Sequence, residues 1–117
     1  MAIDDAIVPI TVVISPLSVL TAAVQIPLAT GDFIQHARLL RVYGHLSALT
    51  SGTCNIAVLA EPGNVQLFQL SWTAAGTKSG VVDYDILDPA GGIQLNVTSI
   101  GVGAGQATIV LWLQLRF

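Results

Sequence analysis

Three groups of residues in this chain have types and spacings that chemistry could use. Asp83, Asp85 and Asp88 form an acidic cluster within Val81-Val-Asp-Tyr-Asp-Ile-Leu-Asp-Pro89. Hard carboxylate oxygens so placed, completed by loop carbonyls, suit Ca²⁺, but the run lacks the glycine and distal glutamate of an EF-hand loop. On a strand Asp83 and Asp85 share a face, and neighbours on one strand do not bracket a substrate bond as a paired acid and base must. The cluster therefore reads as a solvated strand face ending in an Asp-Pro turn, without a metal ion. Arg41, Tyr43 and His45 alternate along another expected strand and line one of its faces. Such a row can hydrogen-bond a glycan or meet a neighbouring subunit, since interfaces favour Tyr and Arg; it reads as subunit-facing or solvent-facing.

The remaining candidates carry less. Cys54 is the single cysteine, and a thiolate nucleophile needs a base that only His36 or His45 could supply. It reads as a small buried apolar residue. The two histidines are nine positions apart with no cysteine pair beside them, which argues against zinc. Ser47 is adjacent to His45 in sequence alone, and no G-x-S-x-G elbow occurs. Gly101-Val-Gly-Ala-Gly105 has the glycines of a phosphate-binding loop, but no helix N-terminus follows to receive the anion, so it reads as a flexible hairpin. No catalytic or cofactor-binding residue is assigned, no cofactor is expected, and the chain does not read as an enzyme.

The elements that must carry these residues are short of charge. Seven acidic and four basic side chains make 9% of 117 residues, against 53% hydrophobic. A 12.2 kDa globule exposes roughly 6,000 Å², so there is about one charge per 550 Å², nearly three times sparser than in a domain with about 25% charged residues. A surface so poor in solvated groups invites association. The length suits one domain with a real core, and a net charge of −3 with four dispersed cations excludes nucleic acid as the main partner. Ala6 to Gly31 holds no charge, yet Pro9, Pro16 and Pro27 interrupt it and no basic cluster flanks it, so no membrane span is expected. Acidic Asp4 and Asp5 near Met1 likewise argue against a cleaved leader.

Period-two alternation dominates the rest, the mark of strands. Ala107, Ile109, Leu111, Leu113, Leu115 and Phe117 share a face opposite Thr108, Val110, Trp112, Gln114 and Arg116. Leu40, Val42, Gly44, Leu46 and Ala48 alternate in the same way, and shorter runs follow at 54–60, 65–72, 81–87 and 93–100. Turn residues separate them at 50–53, 61–64, 74–80, 88–92 and 101–105. Within 17–24, β-branched Val19, Thr21 and Val24 favour strand over helix. This spacing suits an antiparallel sandwich or barrel, and an all-β antiparallel sandwich of about eight strands is expected. Its core should include Leu40, Val42, Leu46, Ile56, Val58, Tyr84, Ile86, Leu95, Val97, Ile109, Leu111 and Leu113.

Residues 1–31 differ from the β-sandwich expected over 32–117. Three of the five prolines fall here, beside the aliphatic stretch Ile10-Thr-Val-Val-Ile-Ser-Pro-Leu-Ser-Val-Leu20. Proline confines a strand to edges and bulges, so the segment reads as edge strands or as an arm laid on an adjacent subunit. Ile10, Val12, Val13 and Ile14 are its expected contacts. Arg41, Tyr43, His45, Val110 and Trp112 complete the expected interface.

From about Phe33 onward the chain resembles small β-sandwich structural proteins of tailed bacteriophages. The resemblance rests on Leu39-Leu-Arg-Val-Tyr-Gly44, Thr53-Cys-Asn-Ile-Ala-Val-Leu59, Trp72-Thr-Ala-Ala-Gly76, Ile93-Gln-Leu-Asn-Val97 and the glycine-rich hinge into Ala107-Thr-Ile-Val-Leu-Trp-Leu113. It implies a jelly-roll-like sandwich that forms a multimeric part of the particle: a capsid decoration or minor capsid protein, or a connector or tail component. Partners would be copies of the chain and other virion proteins, and the place of residence the virion, assembled in the host cytoplasm. The other function compatible with the aromatic rows is a carbohydrate- or receptor-binding module, with exposed aromatics near Tyr43, Trp72 or Trp112.

Overall fold

The computed structural model describes residues 5–14, 20–24, 36–60, 65–86 and 93–116. Eight strands run through them: β1 (Asp5–Ile14), β2 (Leu20–Val24), β3 (His36–Leu46), β4 (Cys54–Ala60), β5 (Val65–Trp72), β6 (Gly76–Ile86), β7 (Ile93–Ser99) and β8 (Ala107–Arg116). They form two four-stranded sheets ordered β1-β8-β3-β6 and β2-β7-β4-β5. Every pairing is antiparallel, and β1 with β8, β2 with β7, β3 with β6 and β4 with β5 nest as the arms of one long folded hairpin. That order is a jelly roll. No helix among the described residues is long and apolar enough to cross a membrane.

The alternating residues of both sheets meet between them. Val42, Leu46, Ile56, Val58, Leu95, Val97, Ile109, Leu111 and Leu113 are all fully buried there, and no charged or polar residue joins them among the described residues. Ala37, Leu39, Leu70, Trp72, Ile93 and Leu115 complete the filling. Tyr84 packs on this core half-buried. Cys54 is buried, and burial pushes its thiol pKa up, away from reactivity. Phe117 and residues 87–92, including Asp88, lie outside the described residues.

The strand expected from Leu40 changes face. Leu39 pairs with Leu113 on β8 and Arg41 with Trp112, so Leu40 is an extra residue there. On the other side Leu39 pairs with Tyr84 and Arg41 with Val81, so Val82 and Asp83 together oppose Leu40. The insertion thus grows across the sheet, and Asp83 absorbs it at φ 58, a backbone region that Asp tolerates better than most residues. As a result Ala37 and Leu39 point inward before the bulge and Val42 and Leu46 after it, while Leu40 leaves the core.

Two glycine-rich segments are also not the loops they resemble. Gly76 to Gly80, expected within a turn, already belongs to β6. Its lack of side chains makes room: a Cβ on Gly80 would lie 2.4 Å from the Phe68 ring on β5. Gly101 to Gly105, expected as a flexible hairpin, is zipped to the β3–β4 loop. Thr50 N donates to Val102 O at 2.8 Å, Val102 N to Ser51 O at 2.8 Å and Gly105 N to Ala48 O at 2.9 Å. Both loops cross from one sheet to the other side by side, so backbone must approach backbone there. At Gly103 (φ +70) a Cβ would stand 2.3 Å from Thr50 Oγ1.

Candidate functional site

The outer face of the β1-β8-β3-β6 sheet gathers most of the residues expected to do something. Strand register sets them in four rows. Pro9, Trp112, Arg41 and Val81 form one row, and Thr11, Val110, Tyr43 and Ser79 the next. Ile7, Gln114, Arg38 and Asp85 lie at one end; Val13, Thr108, His45 and Thr77 lie at the other. Arg41, Tyr43, His45, Val110 and Trp112 are therefore brought onto one surface, with Val13. Ile10, Val12 and Ile14 are not: Ile14 is buried, and Ile10 and Val12 pack on the core of this same chain.

Alternation on β1 explains that split, since Ile7, Pro9, Thr11 and Val13 are exposed while Val8, Ile10 and Val12 turn inward. The same alternation exposes Val81 on β6. Ile7 and Val81 were not expected at the site, although the period-two pattern from Ile7 to Val13 carries the signal. The apolar members are well exposed: Val81 at 73%, Ile7 at 62%, Val13 at 54%, and Tyr43 and Trp112 at 38% each. Together with the displaced Leu40, residues Ile7, Arg41, Tyr43, Ser79 and Trp112 line a shallow open depression of about 610 Å³.

Among the described residues, the ion pairs of this face lie at one end. Arg38 Nε donates to Asp83 Oδ1 at 2.5 Å, and Arg38 Nη1 donates to Asp85 Oδ1. The hydrogen bond from Arg38 holds the Asp83 carboxyl below its ordinary pKa, and the two carboxylates in turn raise that of Arg38. Asp83 and Asp85 thus face a guanidinium, which is the geometry of an ion-pair clamp rather than of a cation cage. At the opposite end His45 Nδ1 and Thr77 Oγ1 share a hydrogen bond of 3.0 Å. Arg41, beside Trp112, makes no ion pair among the described residues.

Trp72, which an exposed binding platform would have used, is fully buried in the core and donates from Nε1 to Gly76 O at 3.0 Å. That bond ties the end of β5 to the start of β6 and so sets where Thr77, Ser79 and Val81 emerge on the face. The opposite sheet presents a different surface. Gln69, Ser71 and Thr98 are exposed, Asn55, Gln94 and Asn96 are half-buried, and none of them is charged.

No family model and no curated protein sequence matches this chain. Solved structures do resemble it in fold. The capsid asymmetric unit of cyanophage Pam1 aligns over 97% of this chain and 85% of its own, with a TM-score of 0.56 and 10% identity. A structure of Bacillus endospore appendages, described as a family of disulfide-linked pili, covers 97% and 90% at a TM-score of 0.52 and 12% identity. The Drosophila NLP core, described with pentamer formation and histone binding, covers 97% of both chains at a TM-score of 0.51 and 12% identity. At such identities the likeness is one of fold, and the fold is the jelly-roll sandwich.

Proposed function

We propose that the chain is a non-enzymatic structural protein of a virus particle, specifically a bacteriophage capsid decoration, minor capsid, connector or tail component that works by associating with copies of itself and with other virion proteins. The observation that carries the reading is the exposed apolar face of Ile7, Val13, Val81, Tyr43 and Trp112 on a chain with so few charges. Four strands about 4.8 Å apart and about 34 Å long offer roughly 650 Å² per copy. Two such faces would bury about 1,300 Å², inside the range of specific interfaces. The structural neighbours give it support: one is a capsid and one a pilus, and a third was described with pentamer formation.

Residues 1–31 enter this reading as the segment that presents Ile7 and Val13 to a neighbour, by an exposed strand face rather than by a free arm. Sedimentation velocity tests the proposal. The wild-type chain is expected to run as a multimer, and Val13→Asp with Val81→Asp as a smaller species with unchanged far-UV circular dichroism. A wild-type chain that sediments as a monomer at tens of micromolar, or variants that assemble normally, would overturn it. A second reading, a carbohydrate-binding module, is favoured by the open depression that holds Tyr43, Trp112 and the exposed Arg41. It requires Trp112 fluorescence to respond to a glycan on the monomeric variant.

A further inference from the structure

We infer that the free edge of β5 is a second contact site, which pairs antiparallel with β5 of another copy so that two β2-β7-β4-β5 sheets join into one. The sandwich has four strand edges, and proteins guard such edges with proline, charge, bulges or shortness because unpaired N–H and C=O groups recruit other chains. β1 carries Pro9 in its middle, where a donor is missing. β2 is five residues long. β6 carries Lys78, Asp83 and Asp85 together with the bulge at Val82 and Asp83. β5, Val65-Gln-Leu-Phe-Gln-Leu-Ser-Trp72, has neither proline nor charge. It is the uncharged, β-prone type of segment that pairs with its own kind.

Local geometry marks which part of β5 would pair. A bulge falls near its start, since Val58 pairs with Phe68 but Leu59 with Gln66. From Phe68 to Trp72 the register with β4 is unbroken. Outside its pairing with β4, this run makes no backbone hydrogen bond among the described residues. A two-fold axis at its centre, Leu70, sets Gln69 of one copy opposite Ser71 of the other, twice over. These two side chains are complementary and exposed: within one strand Gln69 Nε2 already donates to Ser71 Oγ at 3.1 Å. The same donor and acceptor can bond across the dyad, and Phe68 then lies opposite Trp72. A second copy is therefore the occupant, because identical strands are self-complementary about this axis and neither brings a charge that would have to be desolvated.

The inference goes beyond the apolar face on the other sheet, though it shares with that reading the premise that copies associate. Three variants with one added cysteine each test it, Gln69→Cys, Ser71→Cys and, as a control on the other edge of the same side, Lys78→Cys; Cys54 is buried and stays out of reach. Under mild oxidation a mixture of the Gln69→Cys and Ser71→Cys proteins is expected to form covalent dimer several-fold faster than either protein alone or than Lys78→Cys. Opposed Cα atoms about 5.5 Å apart suit a disulfide, whereas diagonal positions lie farther. Equal rates for the mixture and the single proteins, or rates no higher than the control, overturn the pairing. A chain that assembles through the Val81 face yet gives no β5 dimer refutes this inference alone. Dimer that persists in Val81→Asp supports it independently of the face.

Discussion

The sandwich predicts its own response to a single methyl group at Gly44. This residue sits on the inner face of β3, and a Cβ there would stand 2.8 Å from Leu70 Cδ1 and 3.0 Å from Trp72 Cη2. Carbon pairs prefer about 3.5–4.0 Å, so β3 and β5 must separate or Trp72 must turn. Trp72 is fully buried and held through Nε1 to Gly76 O. Overpacking of this kind costs about 1–3 kcal/mol. Restricting the unfolded chain by Gly→Ala returns about 0.5–1 kcal/mol. The expected net loss for Gly44→Ala is about 1.5 kcal/mol, or about 6 °C in Tm for a domain of this size. Trp72→Phe removes the offending ring atoms, so the double variant should lose less than the sum of the single ones by about 1 kcal/mol. Urea unfolding followed by far-UV circular dichroism measures all four proteins, at one protein concentration because assembly shifts apparent stability. A neutral or stabilising Gly44→Ala, or a cycle additive to within about 0.3 kcal/mol, would refute the argument.

Three further outcomes follow from named contacts. Asp83 is held below its ordinary pKa in the fold, so the clamp's contribution is fully present above the unfolded value of about 3.9 and is lost as pH falls through the folded value; the Tm gap between wild type and Arg38→Met should be constant from pH 5 to 7 and close under acid, and a gap that widens there would contradict the clamp. Gly103→Ala places a Cβ at φ +70 and 2.3 Å from Thr50 Oγ1, so a loss of about 2–3 kcal/mol is expected from the left-handed backbone and the clash together, and one below about 0.5 kcal/mol would separate the two loops. Leu111→Ala empties a fully buried position at the centre of β8 and should cost about 2–5 kcal/mol, as chemical denaturation will read.

Where the strand pattern is regular, the sequence carries the fold. The bounds 54–60 and 65–72 match β4 and β5, and the alternation from Ala107 to Leu115 matches the buried face of β8. The pattern fails where residues serve something distant along the chain. Leu40 is misplaced because β3 must match β8 on one side and a longer β6 on the other, and neither partner is visible in a local window. Gly76 to Gly80 looks like a turn because glycine usually marks one; here Gly80 is small because Phe68 occupies the space. Trp72 offers no local sign of burial, since its place depends on Gly44 in the opposite sheet. The face that carries Arg41, Tyr43 and Trp112 is legible because β8 and the part of β3 beyond its bulge alternate cleanly, whereas Val81 adjoins the bulge on β6 and Ile7 shares its strand with Pro9.

The scarcity of charge and the jelly roll explain each other. A nested hairpin of eight strands gives two inner faces, which are filled here mainly by aliphatic residues together with Trp72, and two outer faces that must meet solvent or protein. An isolated sandwich would use Lys and Glu on both outer faces to stay soluble and apart. This chain instead concentrates its described charges at one end of one face, in Arg38, Asp83 and Asp85, with Arg41 beside them and Lys78 on an edge strand. The second outer face relies on Gln, Asn, Ser and Thr. Contacts between such surfaces gain little from long-range attraction, so orientation has to come from shape and from hydrogen bonds whose partners are fixed by strand register. The bulge at Leu40 and Asp83 supplies part of that shape, because it lifts Leu40 out of the core into the depression beside Tyr43 and Trp112. It also places Asp83 beside Arg38 at the rim, where the guanidinium pairs with Asp83 and Asp85 together and offsets one of their two charges.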